Sequence, residues 1–143
     1  MTRMTAAAMT PDEITALLRA GFLHWDKTGV TIEAVGYRSC RLRLAVGDHS
    51  LRMGGTVSGP TMFMLADTAL YVAVLASIGP KGLAVTTNMS INFLKKPPPR
   101  DLIADCRLLK LGKRLAVGEA TIFSEGEDDP VAHAAGTYSI PGA

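Results

Sequence analysis

The spacing of apolar positions changes several times along this chain, and each change predicts an element. Thr10-Pro11-Asp12-Glu13 has the make-up of a helix start, with a capping threonine, a proline at the first helical position and a glutamate three past the cap. Ile14, Leu17 and Leu18 then recur at helical spacing until Gly21, and Trp25 to Gly29 is rich in turn formers. From Thr31 to Val46 the period drops to two. Cys40, Leu42, Leu44 and Val46 alternate with Arg41 and Arg43, which predicts one long half-buried strand, bent or bulged at Gly36. Gly47 to Gly59 reads as loop.

Pro60 to Ile78 predicts a long helix, stopped by Gly79-Pro80-Lys81-Gly82. It is apolar nearly all round, and Asp67 is the only charged residue between Arg52 and Lys81. Such a helix lies either in lipid or at the centre of a protein. The period-two pattern downstream belongs to a water-facing sheet, which favours the protein centre and no membrane. Four strands are expected there. Val85, Thr87, Met89, Ile91 and Phe93 share one face of the first, and Leu102, Ala104, Cys106 and Leu108 one face of the second. Leu115, Val117, Thr121 and Phe123 line up in the third, and Ala132, Ala134, Tyr138 and Ile140 in the fourth. The short breaks between them imply a mainly antiparallel sheet. The expected architecture is α+β: a curled antiparallel sheet around one central helix, in a single domain over residues 10–143 after a loose tail over 1–9. One copy leaves a side of the helix and a sheet edge uncovered. A homodimer, or a dimer of dimers, would close both.

Composition narrows the function classes. Of 143 residues, 48% are hydrophobic and 20% charged, as in an ordinary globular domain. A net charge of +2 is too small for general nucleic-acid binding, though it leaves room for a local basic patch. Cys40 and Cys106 sit in apolar strand runs and form no disulfide framework, which suggests a reducing, cytoplasmic setting. Residues 1–9 lack the apolar core of a signal peptide. His24, His49 and His133 are far apart, and with two scattered cysteines they offer no metal-ligand spacing.

Several segments together resemble the hotdog-fold acyl-CoA thioesterases of the phenylacetate-degradation type. In that family a His-Gly-Gly tripeptide opens the central helix, and a Leu-Ala-Asp follows with its Asp nine positions after the His. Leu65-Ala66-Asp67 matches the second part, and Ser58-Gly59-Pro60 stands in the place of the first. Gly54-Gly55 is a decoy, because twelve residues separate Gly55 from Asp67 and that offset lies off the helix face that Pro60 and Asp67 share. The segments Val85–Leu94, Leu111–Leu115 and Val131–Tyr138 resemble later strands and turns of the family, so the likeness covers about residues 30 to 140.

The resemblance implies hydrolysis of an acyl-CoA thioester at a site shared between two subunits. Asp67 would be general base or nucleophile, the Gly59 N–H the oxyanion donor, and Thr86 a hydroxyl that helps place the water. Pro60 has no N–H to give but suits the first helical position. Ser58 serves equally as a plain N-cap or as a catalytic group. An asparagine common in the family is here Arg52. Lys95, Lys96 and Arg100 at one strand end, and Lys113 with Arg114 at a hairpin tip, are either solvated loops or the holders of CoA phosphates. No cofactor is expected, since CoA is part of the substrate. Two other readings stay open: a non-catalytic acyl-CoA binding protein on the same fold, and a hydratase or dehydratase, which would want a histidine beside the carboxylate.

Overall fold

A computed structural model describes residues 6–80 and 83–142. Helix α1 (Pro11–Gly21) starts in the expected capping box, with Thr10 and Glu13 each bonding the other's backbone N–H. Two strands follow, β1 (Val30–Gly36) and β2 (Ser39–Leu44), then helix α2 (Gly59–Ile78). The chain ends in β3 (Val85–Phe93), β4 (Leu102–Leu111), β5 (Leu115–Ser124) and β6 (Pro130–Ser139). The six strands form one antiparallel sheet in the order β1-β2-β4-β5-β6-β3, wrapped around α2. Ten α2 residues, from Met62 to Ala76, are buried. The helix has the length and hydropathy to cross a membrane, but the sheet packs against it.

Of the expected tail, residues 1–5 lie outside the described residues, as do Lys81 and Gly82 of the expected helix stop. The end of that tail is docked rather than loose: Ala8 N–H donates to the Ala76 carbonyl, and Met9 is buried.

Three expectations need correction. The run from Thr31 to Val46 is a hairpin, not one bent strand. Val35 faces Cys40 and Gly36 faces Ser39, so the chain reverses over Tyr37 and Arg38. Arg38 takes φ 67, a region that arginine seldom adopts, and no Asn-Gly marks the turn. Tertiary contacts hold it instead. Arg38 N–H donates to Ser77 Oγ (2.9 Å) and its Nε–H to the Leu108 carbonyl (3.2 Å).

The second correction concerns β5. Leu115, Val117, Thr121 and Phe123 do share a face, but Ala116, Gly118, Ala120 and Ile122 form the buried one. Small residues are needed there because α2 comes very close. Gly118 and Gly136 are register partners on β5 and β6, and Leu70 of α2 lies over both. A Cβ on Gly118 would stand 2.8 Å from Leu70 Cδ2 and 2.9 Å from the Arg107 carbonyl oxygen. A Cβ on Gly136 would stand 2.9 Å from Leu70 Cδ1.

The third correction concerns β3. Its register against β6 slips between Thr86 and Asn88, leaving Thr87 outside the ladder. This bulge changes the phase of the strand. Thr86, rather than Thr87, comes opposite Tyr138, whose side chain is buried against α2. β3 is also an edge strand, and exposed Val85 and Phe93 lie along it.

Gly118→Ala is expected to destabilise the fold by about 1–3 kcal/mol, the usual cost of overpacking. The check is the urea midpoint at unchanged m-value. A midpoint equal to that of the wild type would mean that α2 can back away from the sheet freely.

Candidate active site

Asp67 lies midway along α2, on the strip that the chain's own sheet leaves partly open; Phe63, Met64, Thr68 and Tyr71 share that strip. Two hydroxyls meet its carboxylate. Thr86 Oγ1–H donates to Oδ1 at 2.7 Å, and Tyr138 O–H reaches the same oxygen at 2.7 Å and the Asp67 backbone carbonyl at 3.0 Å. The β3 bulge makes the pair possible, because it sets Thr86 and Tyr138 opposite each other on the inner face.

Tyr138 is only 5% exposed. Burial, with a further contribution from the Asp67 charge, pushes its hydroxyl well above the usual tyrosine range, so it stays protonated and a donor at any working pH. Tyr71 stacks on it, with ring centroids 5.8 Å apart and planes 17° off parallel, and Phe22 meets Tyr71 edge-on at 6.3 Å. These rings line a cleft of about 800 Å³ beside Asp67. Its other walls are Phe22 to Trp25 from the segment after α1, Met64 and Thr68 from α2, and Ala84 and Val85 around the start of β3. The lining is mostly apolar and aromatic, with His24, Asp67 and the hydroxyls as its polar members.

The mouth of α2 opens elsewhere. Ser58 is the N-cap: its Oγ accepts the Thr61 N–H at 3.3 Å and lies 2.7 Å from Thr61 Oγ1. Its own N–H donates to the Ser50 carbonyl. Gly59 is the first helical residue, and an N–H there has no partner within the helix. The Phe93 ring lies beside it, 3.3 Å from where a Cβ would be. Gly59, Phe93, Arg52, Lys95 and Lys96 line a second cleft, of about 300 Å³. The loop of Pro97, Pro98 and Pro99 is fastened to this mouth, since Val57 N–H donates to the Pro97 carbonyl and Pro97 is buried.

The expected site residues therefore fall into separate groups. Asp67 and Thr86 meet directly. Ser58 and Gly59 stand at the helix mouth with Lys95 and Lys96, and Arg100 follows in the attached loop. Gly59 and Asp67 are eight residues apart on one helix, so about 12 Å separates them along the axis. Lys113 and Arg114 cap the β4–β5 hairpin at the opposite end of the sheet, about 30 Å of strand from Arg100. Within one copy the two basic groups cannot hold the same phosphates. Lys95 also pairs with Glu127 at 3.4 Å. His133 is turned outward and contacts Glu119.

Tyr138 and Tyr71 were not among the expected site residues, because their spacing reads as core. A signal was present in the composition of the strand. The inner face of β6 is otherwise Ala132, Ala134 and Gly136, and a phenol among such small residues needs a polar partner.

The thioesterase superfamily model matches residues 54–131. A crystal structure from Silicibacter sp. TM1040, described as a "putative thioesterase", is 46% identical, covers 94% of each chain and superposes with a TM-score of 0.86. A "putative esterase" of Saccharolobus solfataricus is 29% identical over 112 residues, 78% of this chain and 73% of that protein. The PaaI protein of the E. coli phenylacetic acid degradation operon shares the fold at 21% identity and a TM-score of 0.78, covering 90% of this chain and 91% of that one. The matched segment carries the mouth of α2, Asp67 and Thr86, and the chain belongs to the hotdog-fold thioesterase superfamily, whose membership supports thioester hydrolysis as its chemistry.

Proposed function

We propose that the protein hydrolyses acyl-CoA thioesters to the free acid and CoA, with Asp67 as the working carboxylate. The observation that carries this reading is Asp67 itself: a carboxylate held by two hydroxyls at the wall of an apolar, aromatic cleft. The acyl group fits that lining. A water on the carboxylate would add to the thioester carbon as Asp67 takes its proton, or Asp67 would itself attack that carbon to form a mixed anhydride, which a water then hydrolyses to release the acid and restore the carboxylate. In either case the C–S bond breaks and CoA leaves as a thiolate that takes up a proton. The carbonyl oxygen gains charge on the way, and the N-terminus of α2, with the Gly59 N–H and the positive end of its dipole, is built to receive it.

Gly59 and Asp67 of one copy are too far apart to act on one carbonyl. The reading therefore joins the helix mouth of one protomer to the Asp67 of a second in a homodimer. Several features support this: an exposed edge strand β3, the apolar Phe63 exposed four residues before Asp67, and the partly open strip of α2. Lys95 and Lys96 beside the mouth would hold CoA phosphates by point charge. An acyl chain would turn away from them, because an unpaired ammonium in its path would be costly to desolvate.

Asp67→Asn keeps the volume and an acceptor for both hydroxyls. It is expected to fold as the wild type does and to lower turnover by about 100-fold or more on a panel of acetyl-, hexanoyl- and benzoyl-CoA, read by thiol release. Wild-type rates in the variant would overturn the assignment. CoA-ester binding without hydrolysis, in both proteins and across the panel, would favour a binding protein.

Replacing Lys95 and Lys96 by glutamine is expected to raise KM for CoA esters with kcat nearly unchanged, as when uniform binding is lost. The effect should shrink with added salt, since exposed charges are screened within about 8–10 Å near physiological ionic strength. Thioesters of a pantetheine fragment, without the nucleotide phosphates, should not respond. Equal losses on CoA and on the fragment would place these lysines in folding or assembly instead.

A further inference from the structure

We propose that Tyr138 is a positioning residue for Asp67: together with Thr86 it occupies carboxylate oxygen Oδ1 and so leaves Oδ2 as the oxygen that works. This deepens the hydrolase reading and rests on it.

A free aspartate can rotate about its last torsion, which is soft and two-fold, so that its two oxygens exchange roles. Here Oδ1 receives both hydroxyls, each at 2.7 Å, and no donor among the described residues reaches Oδ2. The two donors come from different strands locked in register, Thr86 of β3 opposite Tyr138 of β6. Rotating the carboxylate would break both bonds at once.

Tyr138 is the stiffer of the two holders. Its ring is buried and stacked on Tyr71, so the hydroxyl cannot swing away without unstacking. It also touches the Asp67 backbone carbonyl, which ties the side chain's position to the helix that carries it. Its high proton affinity keeps it a donor throughout the pH range of hydrolysis, so it does not compete with Asp67 as a base. Thr86, by contrast, is exposed at an edge strand. Its hydroxyl completes the hold, and Phe22 to Trp25 form a wall of the cleft that the pair lines.

The division of labour has a kinetic signature. Tyr138 lines the first cleft and not the second, where Lys95 and Lys96 stand, and its hydroxyl is spent on Asp67. Its removal should therefore leave substrate binding intact and impair the chemical step. The experiment measures kcat and KM for the wild type, Tyr138→Phe, Thr86→Val, Thr86→Ser and Asp67→Asn on the panel of acetyl-, hexanoyl- and benzoyl-CoA, with thermal melts as a check on folding. Tyr138→Phe is expected to lower kcat by about 10- to 100-fold with KM within about twofold of wild type. Thr86→Val should fall in the same way, and Thr86→Ser, which keeps the hydroxyl, should stay near wild type. Should the Tyr138 variant melt early, its kcat and KM are read below its melting transition, and the Thr86 pair, which differs in the donor, tests the second hydroxyl. Wild-type kcat in Tyr138→Phe and Thr86→Val, with Asp67→Asn inactive, would overturn the positioning role and leave the hydrolase reading standing. A raised KM at unchanged kcat in Tyr138→Phe would overturn it too, by making the tyrosine a substrate contact. An Asp67→Asn variant as active as the wild type would remove Asp67 from the chemistry and bring down this inference with it, whereas no thiol release by the wild type on any ester of the panel would bring down the hydrolase reading.

Discussion

Helix α2 lies so close to the sheet that Leu70 fills the space two side chains would need, and much of the structure follows from that contact. The close approach requires Gly118 and Gly136 side by side on β5 and β6. It draws the strands into a curve around an apolar helix, with burial on the sheet side as the driving force. It also fixes the depth at which the helix presents Asp67, three residues before Leu70, to β3 and β6. A carboxylate set a turn higher or an ångström farther out would miss the hydroxyls of Thr86 and Tyr138.

The outline of this arrangement was legible in the chain. Thr10 and Glu13 announced α1, Gly79 the end of α2, and the alternation at Leu42 and Leu44 the buried face of β2. Asp67 stood out because a long apolar helix has little reason to carry one charge. What escaped were features decided by tertiary contact. Arg38 turns a hairpin at positive φ with the help of Ser77 and Leu108, and no local turn signal marks it. The alanines and glycines of β5 look like a weak strand face until Leu70 is placed over them. The bulge after Thr86 is invisible to a period-two count, yet it decides which hydroxyl meets Asp67. Tyr138 was legible as core and is core; its hydroxyl gains a role only through a register that pairing with β3 sets.

Gly59 and Asp67 stand apart on one copy of the chain, and their separation is a consequence of helix geometry. A backbone N–H at the start of α2 and a carboxylate two turns along it cannot bracket one carbonyl group. In the proposed homodimer the second copy would supply the missing half to each, and the apolar exposure along β3 and at Phe63 would be contact surface.

Hybrid complementation tests this shared site most directly. Asp67→Asn lacks the carboxylate, and Gly59→Pro lacks the mouth N–H at a position where a helix tolerates proline. Each homodimer alone should be nearly inactive on acyl-CoA. Subunits mixed, dissociated and re-associated at random should recover about a quarter of wild-type turnover, because half of the dimers are then hybrids with one intact site of two. Recovery at that level is the predicted result. Formation of hybrid dimers without any recovered turnover would contradict the account, since it would place both halves of the site within one chain.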